Sequence, residues 1–443
     1  MTATALARNR RRAELSLGLF VVAVTVGGYV LVALANGPQL PPDLYVLLAW
    51  VFGLYLVAHL AVRRFASAAD ATLLPIAAML NGIGFVTIAR LDKTQARTQS
   101  LWVAIAIGAF VLTLMVVRDV RIFERYRYTC LLLGILFLMM PVLPKIGQAK
   151  NGGRLWVGLG PINFEPSEIA KVLLVAFFAA YLVDKRELLS QGRIHIGRWY
   201  LPSLRDLGPL LLAWGAALLV LAYEQDVGTS LLFFGVFAAM LYMTTRRAAY
   251  IVGTLVLLVV GAIVAYKAFG HVRVRVQNWT NPWRDPLGTG QQPIEGWYSL
   301  GSGGVAGTGL GLGQPWRVPN ASTDYIFAAI GEELGLVGTI GIVAAFMLFV
   351  GSAYRIAIDA VRPFTKLFAA GIATIIGLQT FLIIGGVLRV IPLTGITLPF
   401  MSYGGSSLVA NFALLAILLR ISDDEARHPS ARSAPTARAR SGT

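Results

Sequence analysis

The stretch "RVPNASTDYIFAAIGEELGLVG", residues 317–338, passes from a polar, proline-bearing segment straight into an apolar helical one, with Asp324 at the join. Two further carboxylates, Glu332 and Glu333, follow deeper in. At about 1.5 Å per helical residue they lie roughly 12 Å or more beyond Asp324. Asp324 therefore stands at the mouth of a helix, while the two glutamates belong to its buried length and are expected to be structural. An acid at a helix start is ordinary, because it caps or complements the helix dipole. Whether Asp324 does more than that depends on what surrounds it.

Working outward, the chain of 443 residues is 56% hydrophobic and only 14% charged, with mean hydropathy +0.69. A soluble domain carries about a quarter charged residues. Here the charges fall in short clusters between apolar runs close to the roughly 20 residues that span a bilayer. The expected fold is all-α, a polytopic membrane protein of about twelve transmembrane helices. The spans are read at 15–35, 44–62, 71–88, 100–117, 129–143, 168–183, 207–222, 228–244, 249–269, 324–349, 366–388 and 402–419. The organisation expected is a basic N-terminus (1–14), two N-terminal helices (15–70), a membrane core (71–421) and a disordered polar tail (422–443). Within the core lies a large loop, 270–323.

The formal net charge of +16 could attract nucleic acid, but its placement argues otherwise. Most of the 38 Lys and Arg fall in alternate connections, such as "RNRRR", "RDVRIFERYR" and "RIAIDAVRPFTK". That is the bias of cytoplasmic loops in membrane proteins, and it puts both termini inside. No nucleic-acid partner is expected. Cys130 is the one cysteine, so the chain has no internal disulfide, zinc spacing or redox pair. The first apolar run lacks a small-residue cleavage pattern and is expected to stay as an anchor.

On the opposite side two long connections stand out, 144–167 and 270–323, and long connections of this kind are often functional. The first reads "QAKNGGRLWVGLGPINFEPSEIAKVLL". Arg154 and Trp156 follow its glycine pair, and Ser167 reads as a helix N-cap. Glu168 and Lys171 are spaced to pair on one helix face. That pair is either a structural ion pair or a cation aimed at an anionic ligand, and intramembrane ionisable residues point to function by default. In "YEQDVGTS", Asp226 reads as a helix cap that could also line a polar cavity. In the second connection "VRVRV" alternates, which in an extended segment puts Arg273 and Arg275 on one face, whereas a helical segment separates them. Its glycine-rich run, 301–313, lacks the strand-loop-helix setting of a phosphate loop. Finally, "RVIPLTGITLPFMSYGGSSL" breaks helical backbone at membrane depth, which is tolerated only inside protein or along a wet cavity.

Together these stretches resemble the SEDS family of membrane proteins (shape, elongation, division, sporulation), which includes RodA and FtsW. The matching residues are "GGRLWVGLGPINFEPSEIAK", "EQDVGTS", "NPWRDPLGTGQQ", "GSGGVAGTGLG", "STDYIFAAIGEELGLVG" and "IPLTGITLPFMSYGGSSL", in family order from about residue 71 to 422, and the RodA branch looks closer. The family core has ten spans, which makes the first two an N-terminal addition. Glu165 stands where the family has Gln, Asn320 and Ser322 replace a Glu and a His, and Glu295-Gly296 replaces a Gln-Ser pair.

The resemblance implies a peptidoglycan glycosyltransferase with roles in cell-wall synthesis, cell shape and elongation. It would polymerise lipid II at the outer face of the cytoplasmic membrane, beside a class B penicillin-binding protein that cross-links the strands. Asp324 matches the family's catalytic aspartate. Arg154, Trp156, Glu168, Lys171, Asp226, Arg273, Arg275, Gln292, Ser402, Gly404 and Ser406 are the candidates for substrate contact. The chemistry agrees: a sugar hydroxyl needs a base, while a departing pyrophosphate needs positive charge, from Arg, Lys or a divalent cation such as Mg or Mn. Paired carboxylates of the glycosidase kind are not required. A carrier that flips the lipid is the alternative, since bundles with broken helices also describe transporters. A non-catalytic scaffold for the cross-linking enzyme is a third reading.

Overall fold

The computed structural model describes residues 3–427 apart from 38, 41–42, 144–145, 151–152, 160–161, 191–193, 197–198, 202–203 and 225. Helices dominate, in the order α1 (Ala3–Asn36), α2 (Leu44–Phe65), α3 (Leu73–Leu91), α4 (Lys93–Val116), α5 (Arg121–Arg125), α6 (Arg127–Met139), α7 (Ser167–Asp184) and α8 (Arg186–Ser190). Then come α9 (Leu204–Tyr223), α10 (Val227–Thr245), α11 (Ala248–Ala268), α12 (Gly270–Thr280), α13 (Gln291–Gly303), α14 (Ile326–Asp359), α15 (Pro363–Val387) and α16 (Gly405–Arg427). Strands β1 (Gly147–Lys150), β2 (Gly153–Leu159) and β3 (Ile162–Phe164) form a small antiparallel sheet, and β4 (Ile194–Ile196) pairs with β5 (Trp199–Leu201). The first sheet gives the connection before α7 more order than the sequence reading allowed.

Among the described residues nine helices are long and apolar enough to cross a membrane: α1 to α4, α10, α11 and α14 to α16. The other three expected spans, α6, α7 and α9, are helical as well. Helix α6 has 13 residues, about 20 Å against the roughly 30 Å of hydrocarbon. Helix α7 carries Glu168, Lys171 and Asp184, and α9 has 20 residues. The protein is thus a multi-pass, helical membrane protein.

Helix α15 is the central column, buried along most of its length between α7, α10 and α14. Helix α11 is almost entirely exposed, touching α10 and α12. The added helices α1 and α2 pack on α3 and α4. Local sequence explains several boundaries. Asp92 caps α4 by accepting from the Thr94 and Gln95 amides, and Pro363 opens α15 where no amide is needed. Helix α16 runs to Arg427, past the tail boundary read at 421, because Arg420 and Asp423 have buried work to do. Arg420 donates to the Val117, Phe65 and Leu114 carbonyls, and Asp423 takes the Ala68 amide and Arg427. The remaining tail lies outside the described residues.

Two departures from regular helix shape the loop-bearing end. Helix α14 breaks at Gly335, whose φ of 65° is a left-handed value suited to glycine. The glycine-rich run takes up the freed backbone groups. Thr308 and Gly309 donate to the Glu332 and Glu333 carbonyls, while Leu336 and Val337 donate to Gly304 and Val305. Side chains would block that docking: a Cβ at Gly303 would sit 2.0 Å from the Gly331 carbonyl, and one at Gly307 2.2 Å from that of Glu333. The run is a strap on a broken helix. Its glutamates hold it: Glu332 accepts from Ser299 Oγ and the Gln314 amide, both at 2.6 Å, and Glu333 pairs with Arg90 at 3.4 Å. The second departure is the irregular segment 388–404 between α15 and α16, as the prolines and glycines predicted.

Candidate active site

Asp324 sits half-buried in the turn before α14, which begins at Ile326 rather than at Asp324 itself. Asn320 shapes the turn. Its carbonyl accepts from the Thr323 amide and hydroxyl at 3.1 Å, and its φ of 56° is one that asparagine tolerates better than most residues. The irregular segment then clamps the turn from below: Tyr403 N donates to Ser322 O at 2.8 Å, and Ser402 Oγ to Thr323 O at 2.7 Å. Tyr325 is fully buried against α13, where a Cβ at Gly296 would come within 2.4 Å of its ring. Three departures from the family pattern, Asn320, Ser322 and Gly296, are thus fitted to one turn.

Arg275 reaches this turn from α12. Of the two readings of "VRVRV" the helical one holds, so Arg273 and Arg275 are about 200° apart and point different ways. Arg273 is exposed and leaves the site; Arg275 is half-buried and donates to Thr394 O at 2.6 Å. Its charge acts on both Asp324 and Asp226. Gly395 makes space for it, since a Cβ there would be 2.9 Å from Nη2. Arg389 fixes the far end of α12. It donates to the Trp279 and Thr280 carbonyls, accepts Trp279 Nε1 on its own carbonyl at 3.0 Å, and stacks over Trp297 at 4.8 Å. Burial pushes the Asp324 carboxyl up to about 6, with Arg275 and the Thr323 hydroxyl pulling the other way.

A second cluster forms where α7 and α10 begin. Asp226 caps α10, accepting from Thr229 N at 2.9 Å as expected. Lys171 and Glu168 pair at 2.6 Å, and Lys171 also donates to Gln379 Oε1 at 3.2 Å. Buried and engaged on both sides, Lys171 has the geometry of the structural ion pair. Ser167 is not the N-cap, which falls on Pro166; its hydroxyl donates to Glu165 Oε1, and Glu165 N donates to Ser406 Oγ. Burial, with the nearby Glu168 and Asp226 carboxylates, pushes the Glu165 carboxyl up, toward the neutral form that resembles the family's glutamine. Burial likewise raises Glu224, to about 9.

Of the remaining candidates, Gln292, Gly404 and Ser406 make bonds within the frame. Gln292 donates to Pro319 O at 3.0 Å and braces the long loop. The Gly404 carbonyl accepts from Leu408 N at the start of α16, and Ser406 is buried beneath β3 and α7. Trp156 lies half-buried on β2 opposite Gln148; Arg154 is on the same strand, but its side chain lies outside the described residues. Among the described residues no group of three or more His, Cys, Asp or Glu is placed to hold a metal ion. Sequence reasoning missed Arg389, a lone cation closing an apolar run, and Asn81, a lone amide inside one. Both carry the signal that marks polar residues at membrane depth.

The fold is that of a multi-pass helical membrane protein that brings an acid, Asp324, and the charge of Arg275 to one loop-bearing end of a bundle with broken helices. The chain belongs to the FtsW/RodA/SpoVE family, described as "Cell cycle protein", whose pattern matches residues 71–427. That boundary leaves α1 and α2 outside the family core. Among its relatives is the peptidoglycan glycosyltransferase RodA of Mycobacterium tuberculosis, 44% identical over 95% of this chain and 92% of its own. The probable peptidoglycan glycosyltransferase FtsW of Geobacter metallireducens is 33% identical over 74% of this chain and 84% of its own. The structure described as "Structural coordination of polymerization and crosslinking by a peptidoglycan synthase complex" superposes with TM-score 0.67 at 27% identity, covering 81% of this chain and 98% of that one. RodA of Thermus thermophilus shares the fold, with TM-score 0.59. On these relatives the chain is a peptidoglycan glycosyltransferase.

Proposed function

We propose that this chain polymerises lipid II at the outer face of the cytoplasmic membrane, with Asp324 as general base. The observation that carries the reading is the Asp324–Arg275 arrangement at the loop-bearing end. Asp324 takes the proton of the acceptor sugar's 4-hydroxyl as that oxygen attacks the anomeric carbon of the donor. Undecaprenyl pyrophosphate leaves, and positive charge at Arg275 stabilises it. Arg154 belongs to the same proposal through its place on β2, and Lys171 through its ion pair near Asp226. A divalent cation, where one takes part, enters with the pyrophosphate.

Both termini lie on the cytoplasmic side in this reading, as the basic connections require. The partner is a class B penicillin-binding protein, in keeping with the complex of polymerisation and cross-linking to which the fold is similar. The test is purified protein with that partner and labelled lipid II in detergent, where flipping has no meaning. Glycan polymer supports the enzyme. No polymer from folded protein supplied with partner and Mg or Mn would return the reading to a lipid carrier.

A further inference from the structure

We infer that Asn81, in the middle of α3, is a positioning residue that sets the place of Asp324 through the turn 398–403. This rests on the reading of Asp324 as the base. The hydrogen-bond partner of Asn81 is neither Asp324 nor a group proposed to bind substrate. It is buried, and its Nδ2 donates to the Phe400 carbonyl at 3.0 Å. Phe400 needs such a holder. Its φ of 64° lies in the left-handed region, which aromatic residues seldom adopt and which persists only where the surroundings impose it.

The surroundings here come from three sides. The Phe400 ring is wedged between Phe349 of α14, at 5.4 Å, and Phe412 of α16, edge-on at 5.5 Å. Asn81 holds the carbonyl. One turn further along the same face of α3, Gly84 lets Met401 approach, since a Cβ there would be 2.3 Å from its carbonyl. With Phe400 and Met401 held, Ser402 folds back: its Oγ accepts the Leu398 amide at 2.9 Å, leaving its proton for Thr323 O. Tyr403 N reaches Ser322 O beside it. The two residues immediately before Asp324 therefore hang from a turn that α3 anchors. A displacement of about 1 Å at a reacting group is enough to cost roughly a hundredfold in rate, so an anchor this remote is felt at the base.

The test is the lipid II polymerisation assay on the full chain with its partner. Asn81→Leu, similar in size without the donor, is expected to lower kcat by about tenfold to a hundredfold while KM for lipid II stays within about twofold. Ser402→Ala breaks the same linkage further on, so the double variant should lose little more than the worse single one. Gly84→Ala should reproduce the kcat loss by pushing Met401 away, without removing any side-chain donor or acceptor. Unchanged kcat in Asn81→Leu, a lowered thermal midpoint with kcat intact, or losses that multiply in the double variant would each overturn the positioning role. Asp324→Asn in the same assay separates the two layers. If it stays active, the base assignment fails; if it is inactive while Asn81→Leu is normal, only the anchor fails.

Discussion

Arg275 and Asp324 oppose burial together: burial lifts the Asp324 carboxyl to about 6, and the Arg275 guanidinium holds it from rising further. A base must be ionised to accept a proton, so turnover should rise with pH through about 6 and level off above it. In Arg275→Gln the pull toward the charged form is gone, so that acidic limb moves to higher pH. The rate should fall more at pH 6 than at pH 8. Initial polymerisation rates across that range check the sign. A limb that stays in place would remove Arg275 as the group that tunes Asp324.

Asp324→Asn keeps the size of the side chain and its place in the turn. General base catalysis contributes about 10²–10⁴ in rate, and polymer synthesis should fall by that order while the thermal midpoint is retained. Polymer made at the parent rate would sink Asp324 as the base.

Lys171 and Glu168 should separate by double substitution. Removing Lys171 alone leaves Glu168 charged without its partner, a loss typically of about 3–5 kcal/mol for a buried pair. Lys171→Met should therefore reduce the yield of folded protein. Lys171→Met with Glu168→Gln removes both charges and should restore yield and thermal midpoint. Turnover in the restored protein decides the role: activity near the parent level means a structural pair, whereas a folded but inactive protein means that the cation serves the substrate.

Gly307→Ala tests the strap on α14. The new Cβ would meet the Glu333 carbonyl, and the φ of 85° at this position disfavours any side chain. A destabilisation above about 1 kcal/mol is expected, read as a lowered melting temperature. Gly304→Ala is the control: its φ is also positive, but a Cβ there meets nothing within 4 Å, so it should cost less.

Much of this molecule is visible in sequence because membrane insertion is written in local composition. Apolar runs of bilayer length, charges confined between them and prolines at depth located the twelve apolar helices, although α1, α4, α14 and α16 extend some seven to twelve residues beyond the spans read for them. Asp324 was legible for a related reason: an acid at a helix mouth beside a polar connection is conspicuous among apolar neighbours. Sequence alone left α12 open between strand and helix, because strict alternation of Val and Arg fits a strand, while the backbone satisfies its own hydrogen bonds as a helix where no partner strand is offered. Asp226 is a cap fixed by the amide three residues on. Arg273 was separated from Arg275 by that same helical turn.

By itself the sequence determined that the chain crosses a membrane many times, which connections are polar, and which carboxylate stands at a helix entrance. Those are properties of short segments, governed by transfer free energy and backbone geometry. Only the tertiary structure decided that the charge of Arg275 bears on Asp324, that Lys171 also reaches Gln379, and that a glycine-rich run repairs a broken helix. Only there does an asparagine in α3 hold the turn beneath the base. Each of those contacts joins residues far apart in the chain. Such meetings follow from helix packing, where a missing Cβ or a rotated helix face matters more than local composition.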